Sequence, residues 1–239
     1  MGCVLQYPRE VLLSEGFHQR GEWNDAIFGQ SRPIVLELGC GKGEYTVGLA
    51  RAFPEKNYIG VDIKGARIWT GAKQTEEEKL ENVRFLRTEI ENISEFFGSG
   101  EVDEIWITFP DPQMQKPRKR LTSTGFLKQY SQFLKPGGII HLKTDSPFLY
   151  EYTRRLIALN GLEVLEDKQD LYGSGEIDPV KAIKTFYESL WLERGKKIKL
   201  LSFRLIAGKE LEEPITDDIV KDDYRSVMGR ESLPSTRSR

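Results

Sequence analysis

The stretch Pro33-Ile-Val-Leu-Glu-Leu38 runs apolar into Gly39-Cys-Gly-Lys-Gly43, and Glu44 to Phe53 follows with Tyr45, Val47, Leu49, Ala50 and Phe53 in helical reach of one another. Pro54 stops that helix. A short apolar run, a glycine turn and an amphipathic helix form one strand–turn–helix unit. A chain built from such units folds into a mostly parallel sheet, because right-handed crossovers place the helices on its two faces.

The unit recurs along the chain. Asn57 to Val61 reads as a second strand ending at Asp62, followed by a helix from Lys64 to Leu80. Asn82 to Leu86 is a third strand, with Thr88 and Glu89 at its end and a short helix through Phe97. Val102 to Phe109 alternates β-branched and aromatic residues as a fourth strand. Pro110 and Pro112 lack amide protons, so the ladder stops there and Asp111 is left on a stiffened turn. Thr122 to Leu134 predicts a helix closed by Pro136-Gly137-Gly138, and Ile139 to Leu142 a fifth strand running into Lys143-Thr144-Asp145. Ser146-Pro147 starts a helix that Asn160-Gly161 ends. Leu162 to Leu165 and Ile198 to Ile206 complete seven strands, with a helix over Val180 to Glu193 between them. The expected architecture is a Rossmann-like α/β fold with a mostly parallel seven-stranded sheet. Its divisions are an N-terminal extension at 1–32, the main domain at 33–208 and a charged tail at 209–239 whose last part is expected to be mobile.

Composition narrows the function classes. A chain of 239 residues holds one sizeable core or two small domains, and its mean hydropathy of -0.47 is ordinary for a soluble protein. No apolar run approaches the ~20 residues a membrane helix needs. No secretory pattern opens the chain, and Gln6 stands where N-myristoylation after Gly2 wants Ser or Thr. Two cysteines, Cys3 and Cys40, cannot build a disulfide framework, so a reducing, cytoplasmic compartment is expected. They and His18 and His141 show no ligand spacing, so no metal is expected. The pattern leaves monomer and homodimer open.

The net charge of -2 hides a segregation. Residues 112–144 hold seven bases and no acid, and residues 194–209 hold six more and no acid. The balancing acids gather at Glu76-Glu77-Glu78 and from Glu210 to Asp223. Local potential rather than net charge attracts a polyanion. The alternative is scattered, solvated charge.

Acids also stand at consecutive strand ends. Glu37 precedes a Gly-x-Gly-x-Gly turn, not the Gly-x-Gly-x-x-Gly of dinucleotide folds. A carboxylate there repels a pyrophosphate and welcomes ammonium and sulfonium groups, which favours S-adenosylmethionine over NAD. A purely structural turn is the alternative for Gly39, Gly41 and Gly43. Asp62, about 20 residues on, either accepts from ribose hydroxyls or caps the helix after it. Glu89 is a third acid in such a position or a solvated side chain, with Thr88 as the other contact.

Taken with the Phe-Pro-Asp-Pro turn, Lys143-Thr-Asp145 and Thr185-Phe-Tyr-Glu188, the chain from Ile34 to Ile206 resembles the bacterial tRNA (guanine-N7-)-methyltransferases of the TrmB type. The resemblance implies a class I S-adenosyl-L-methionine-dependent fold that methylates N7 of a variable-loop guanosine in tRNA. It places Glu37, Asp62, Glu89 and Asp111 against the cofactor, with Asp111 also catalytic. It gives Lys116, Asp145, Thr185, Phe186, Tyr187 and Glu188 to the tRNA. The family reads Asp-Pro-Trp-Pro-Lys-Lys-Arg-His after the fourth strand, whereas Gln113-Met-Gln-Lys-Pro-Arg118 is shorter and lacks Trp and His. Lys116 or Gln115 then fills the lysine position. Asp145 and Glu188 are candidates to accept hydrogen bonds from the donors on the guanine Watson–Crick edge. A methyltransferase of small molecules or proteins, and a non-catalytic RNA-binding protein, are the other readings.

Overall fold

The computed structural model describes residues 2–7, 14–173 and 179–222. Its elements are β1 (Val4–Gln6), β2 (Ile34–Leu38), α1 (Glu44–Ala52), β3 (Asn57–Asp62), α2 (Gly65–Glu77), β4 (Val83–Arg87), β5 (Val102–Thr108), α3 (Thr124–Tyr130), β6 (Leu134–Thr144), α4 (Pro147–Leu159), β7 (Val164–Lys168), α5 (Pro179–Ala182), α6 (Phe186–Glu193) and β8 (Lys199–Arg204). Among the described residues the sheet has eight strands in the order β1-β4-β3-β2-β5-β6-β8-β7. All pairings are parallel except those of β8, which runs antiparallel to both neighbours. Two apolar clusters, one containing Leu36, Ile105 and Ile140 and the other Val35, Tyr58 and Trp106, cover the two faces. Adjacent β2 residues point to opposite faces, as strand pleating requires.

The eighth strand is the departure from the seven expected. Val4–Gln6 pairs in parallel with Phe85–Arg87 at the sheet edge, and three residues are too few to carry a strand signature of their own. Residues 14–32 also belong to the core. Trp23 is fully buried, stacks on Phe97 with centroids 4.9 Å apart and donates from Nε1 to the Phe96 carbonyl at 2.7 Å. Glu101 accepts the Gly21 and Trp23 amides. Residues 209–222 join the same core through Ile219 and Leu211. Among the described residues, 14–32 and 209–222 thus pack into the same core as residues 33–208. The mobility expected for the end of the tail falls on residues 223–239, outside the described residues.

Two helix boundaries also move. The helix expected over 122–134 covers only Thr124–Tyr130, and Leu134 already pairs with Val102 through a bulge at the start of β6. The helix expected over 180–193 breaks before Thr185, which starts α6 with a capping box: its hydroxyl accepts the Glu188 amide. A hydroxyl able to compete for amides favours a new cap over a continuous helix.

Early in β5, Glu104 accepts from Lys56 at 2.8 Å and from Trp106 Nε1 at 2.7 Å, with His141 Nε2 3.2 Å away. Burial alone would raise the Glu104 carboxyl, but His141 and Lys56 outweigh it and hold it at about 2. A folded value below the unfolded one gives stability that is present above the ordinary carboxylate range and is lost as pH falls towards 2. Thermal unfolding between pH 5 and 3 should therefore show Glu104→Gln losing about 1–3 kcal/mol less than the unaltered protein.

Candidate active site

The chain passes from β2 through β3 to β4 on one side, then crosses to β5 and β6 on the other. The β2/β5 junction is thus the topological switch point, where open α/β sheets bind ligands at the carboxyl ends of their strands. A cleft of about 360 Å³ opens there, lined by Gly39, Asp62, Thr88, Glu89 and Asp111 together with Ile63 and Phe109. The volume is within the range of small-molecule sites, ~300–1,000 Å³. Residues from four strand ends meet at it, as the acids of the sequence foretell; both Thr88 and Glu89 are on its wall.

The glycine turn divides its labour. Gly39 lines the cleft, and its amide donates to Val61 O at 2.8 Å. The Gly41 amide donates to Asp62 Oδ2 at 3.0 Å, while Asp62 Oδ1 accepts the Lys64 amide at 2.7 Å. Asp62 therefore ties the turn to Lys64, the residue before α2, without capping the helix itself, and faces the cleft with its remaining lone pairs. Gly43 has φ +74, and a Cβ on it would stand 2.6 Å from the Phe85 ring. It is required by packing and does not line the cleft.

Glu37 lies beneath the turn instead of on the cleft wall. It is buried and accepts the Thr46 amide at 2.8 Å, the Thr46 hydroxyl, and the Thr108 hydroxyl at 2.6 Å. Burial pushes its carboxyl up to about 7 against the hydrogen bonds from Thr108 and Thr46. It joins the end of β5 to the first turn of α1, and so fixes the two walls of the cleft. Thr46, in the first turn of α1, and Thr108, which closes β5, went unnoticed in the sequence; for Thr108 the signal is a hydroxyl at a strand end.

Asp111 is exposed at the cleft mouth, and its Oδ1 accepts the Gln113 amide at 2.9 Å. Phe109 and Gln113, either side of Pro110-Asp111-Pro112, hold left-handed backbone at φ 48 and 46. Non-glycine residues adopt that conformation at a cost of ~1–2 kcal/mol each, and such costs gather at functional turns. The Phe109 amide donates to Lys143 O at 2.8 Å, which closes β5 against β6 just before the turn.

The residues assigned to tRNA are placed differently. Lys116 and Gln115 are both exposed on the loop after Asp111. Asp145 is only 2% exposed and pairs with Lys196 at 3.3 Å. Glu188 is 0% exposed, with Lys143 Nζ 2.9 Å from Oε1 and the Tyr172 hydroxyl donating to the same oxygen. Neither carboxylate is presented to solvent for a guanine edge. Phe186 and Tyr187 are exposed and in edge contact with each other. The Phe186 amide donates to Glu44 Oε2 at 3.0 Å, and Lys42 Nζ lies 5.1 Å from the Phe186 ring centroid, so the Thr185–Glu188 turn docks on the glycine loop.

The acid-free stretches are less free in space than in sequence. Arg120 and Lys143 are buried. Lys119, Lys135, Lys196, Lys197 and Arg204 form ion pairs with Glu91, Asp103, Asp145, Asp170 and Glu163. Lys116, Arg118 and Lys128 form no ion pair among the described residues; the first two are on the loop after Asp111 and the third on α3. Among those residues, no helix is long and apolar enough to cross a membrane, and no cluster of acids, His and Cys could hold a metal ion.

This sheet order and switch-point cleft define the Rossmann-like methyltransferase class. A 16S rRNA methyltransferase, KamB, superposes with a TM-score of 0.57 over 76% of this chain and 92% of that one, at 16% identity. A family model described as a putative methyltransferase matches residues 31–201. A tRNA (guanine-N(7)-)-methyltransferase of Porphyromonas gingivalis (strain ATCC BAA-308 / W83) is 57% identical over 227 residues, 93% of each chain. Another, from Lactococcus lactis subsp. cremoris (strain MG1363), is 33% identical over 210 residues, 87% of this chain and 96% of that protein. The chain belongs to the tRNA (guanine-N(7)-)-methyltransferase family.

Proposed function

We propose that the protein transfers a methyl group from S-adenosyl-L-methionine to N7 of guanine in tRNA. The observation that carries the reading is the position of Asp111: one exposed carboxylate on a strained turn, with an acid-lined cleft on one side and the loop bearing Lys116 and Arg118 on the other. Family membership supplies the regiochemistry.

The residues present fit the cofactor. Asp62 and Glu89 offer acceptors for ribose hydroxyls and an ammonium group, Gly39 exposes backbone, and Ile63 and Phe109 offer apolar surface. When bound, S-adenosyl-L-methionine supplies an electrophilic methyl group on a sulfonium sulfur. Guanine N7 presents a lone pair and carries no proton, so no side chain need act as a base. Asp111 compensates the positive charge that guanine acquires, and holds the base in line; alignment of reacting atoms contributes several kcal/mol. Glu188 serves this site from below, by holding the Thr185–Tyr187 turn against the glycine loop. Phe186 and Tyr187 are then the side chains of that turn able to stack on RNA. Lys116, Arg118 and Lys128 neutralise phosphates.

Incubation with labelled S-adenosyl-L-methionine and unmodified tRNA should label the tRNA and create the chain scission peculiar to N7-methylguanosine. Label without scission would overturn the position of methylation, and absence of label the reading itself. Raising salt from about 50 to about 200 mM should weaken tRNA binding at least tenfold; unchanged affinity would remove the phosphate contacts.

A further inference from the structure

After β8 the chain returns across the domain as a strap. Asn160 grips Glu212 both ways, Nδ2 donating to its carbonyl at 2.9 Å and Oδ1 accepting its amide at 2.8 Å. Arg155 holds Asp218 with two bonds of 2.7 and 2.8 Å. Two strap acids then reach helix starts. Glu213 Oε1 accepts the Thr124 amide at 2.9 Å and hydroxyl at 2.8 Å, at the first residue of α3. Asp222 Oδ1 accepts the Phe148 amide at 3.0 Å in the first turn of α4, and Oδ2 accepts the Ser146 hydroxyl. Both helices begin on the substrate side, α3 after the Asp111 loop and α4 directly after Asp145.

Asp222 makes a further contact that a simple cap lacks. Its amide donates to Met114 Sδ at 3.2 Å, within the loop that follows Asp111. The Met114 carbonyl accepts from Arg120 Nη2 at 3.1 Å. Arg120 is buried, its guanidinium 4.9 Å from the Phe148 ring centroid and 4.5 Å from that of Tyr152, both on α4. The loop between Asp111 and Arg120 contains no regular element beyond one short turn at Pro117–Lys119, so these contacts set its path.

We propose that Asp222 is a positioning residue for the substrate side of the active site. Its side chain caps α4 beside Asp145 and, by fixing the strap there, holds the Asp222 backbone amide against Met114 of the Asp111 loop. The proposal rests on the functional reading above for what the loop touches. Gly39, Asp62 and Glu89, at or just after the ends of β2, β3 and β4, form the part of the cleft away from this loop, and none of them bonds to Asp222, whereas Asp111 and Gln113 belong to both. Loss of the brace should thus separate the two ligands.

The test compares full-length protein with Asp222→Ala and Asp222→Asn. The Ala variant should lose about five- to tenfold in kcat/KM for tRNA, within the ~10²-fold that a small misplacement of a substrate-positioning loop can cost. Its calorimetric Kd for S-adenosyl-L-methionine should stay within about twofold, and hydrogen exchange in residues 112–120 should quicken. Asn keeps an acceptor for Phe148 and should restore most of the loss. Unchanged tRNA kinetics, unchanged loop exchange, an equal loss of cofactor affinity or an Asn variant no better than Ala would each overturn the proposal. If the unaltered protein methylates no tRNA, the functional reading fails, and loop exchange in the variants alone decides whether Asp222 positions the loop.

Discussion

Asp111→Ala should lower methyl transfer to tRNA by at least about a hundredfold, the scale of a lost charge-stabilising or aligning group, while the protein stays folded. The side chain is exposed, and its bond to the Gln113 amide at 2.9 Å is a local one that water can replace. Little stability depends on it, so thermal unfolding should shift by no more than about 2 °C. Asp111→Asn divides the roles. It keeps an acceptor for Gln113 and nearly the same shape, but removes the charge. If the carboxylate acts by offsetting positive charge on guanine, Asn should be almost as impaired as Ala. If it acts only by shaping the turn, Asn should approach the unaltered rate. Cofactor affinity should fall less than turnover in both, because Asp62 and Glu89 remain. Near-normal turnover in Asp111→Ala would remove the residue from the mechanism.

The cleft was legible because its parts are local. An apolar run, a glycine turn and an acid are contiguous, so Gly39, Asp62, Glu89 and Asp111 could be placed at strand ends before any contact was known. What stayed hidden was what each charge meets across the fold. Glu37 reads as a ligand acid, yet two threonines, one 71 positions away, occupy its oxygens beneath the turn. Lys143 reads as one of a run of bases for phosphate, yet it is buried against an acid 45 residues on. Asp145 and Glu188, given to the tRNA by the family resemblance, are paired within the protein. The strap was equally invisible. Its acids look like a solvated tail, and only the helix starts they reach give them a role.

Glu188→Ala should destabilise the protein by about 3–5 kcal/mol, because it leaves a buried ammonium without its counter-charge. Lys143 and Glu188 are 1% and 0% exposed and 2.9 Å apart. Burial lowers the Lys143 ammonium, and the Glu188 charge opposes that. Removing Glu188 therefore lets burial act alone, and the lysine should shed its proton or draw in water. Lys143→Met should be as harmful, for it strands the carboxylate among Tyr172, Thr185 and Tyr45. The pair replaced together, Lys143→Met with Glu188→Leu, should recover much of the loss, since apolar groups need no partner. Thermal unfolding of the four proteins completes a double-mutant cycle. A drop of roughly 10 °C is expected for each single variant and less for the double. The cycle also reports on function. Glu188 closes the capping box of α6, so its loss frees the turn carrying Phe186 and Tyr187. Below its own melting point Glu188→Ala should bind tRNA more weakly while holding S-adenosyl-L-methionine, whose acids lie elsewhere. Additive single effects, with no recovery in the double, would show that the two side chains do not depend on each other.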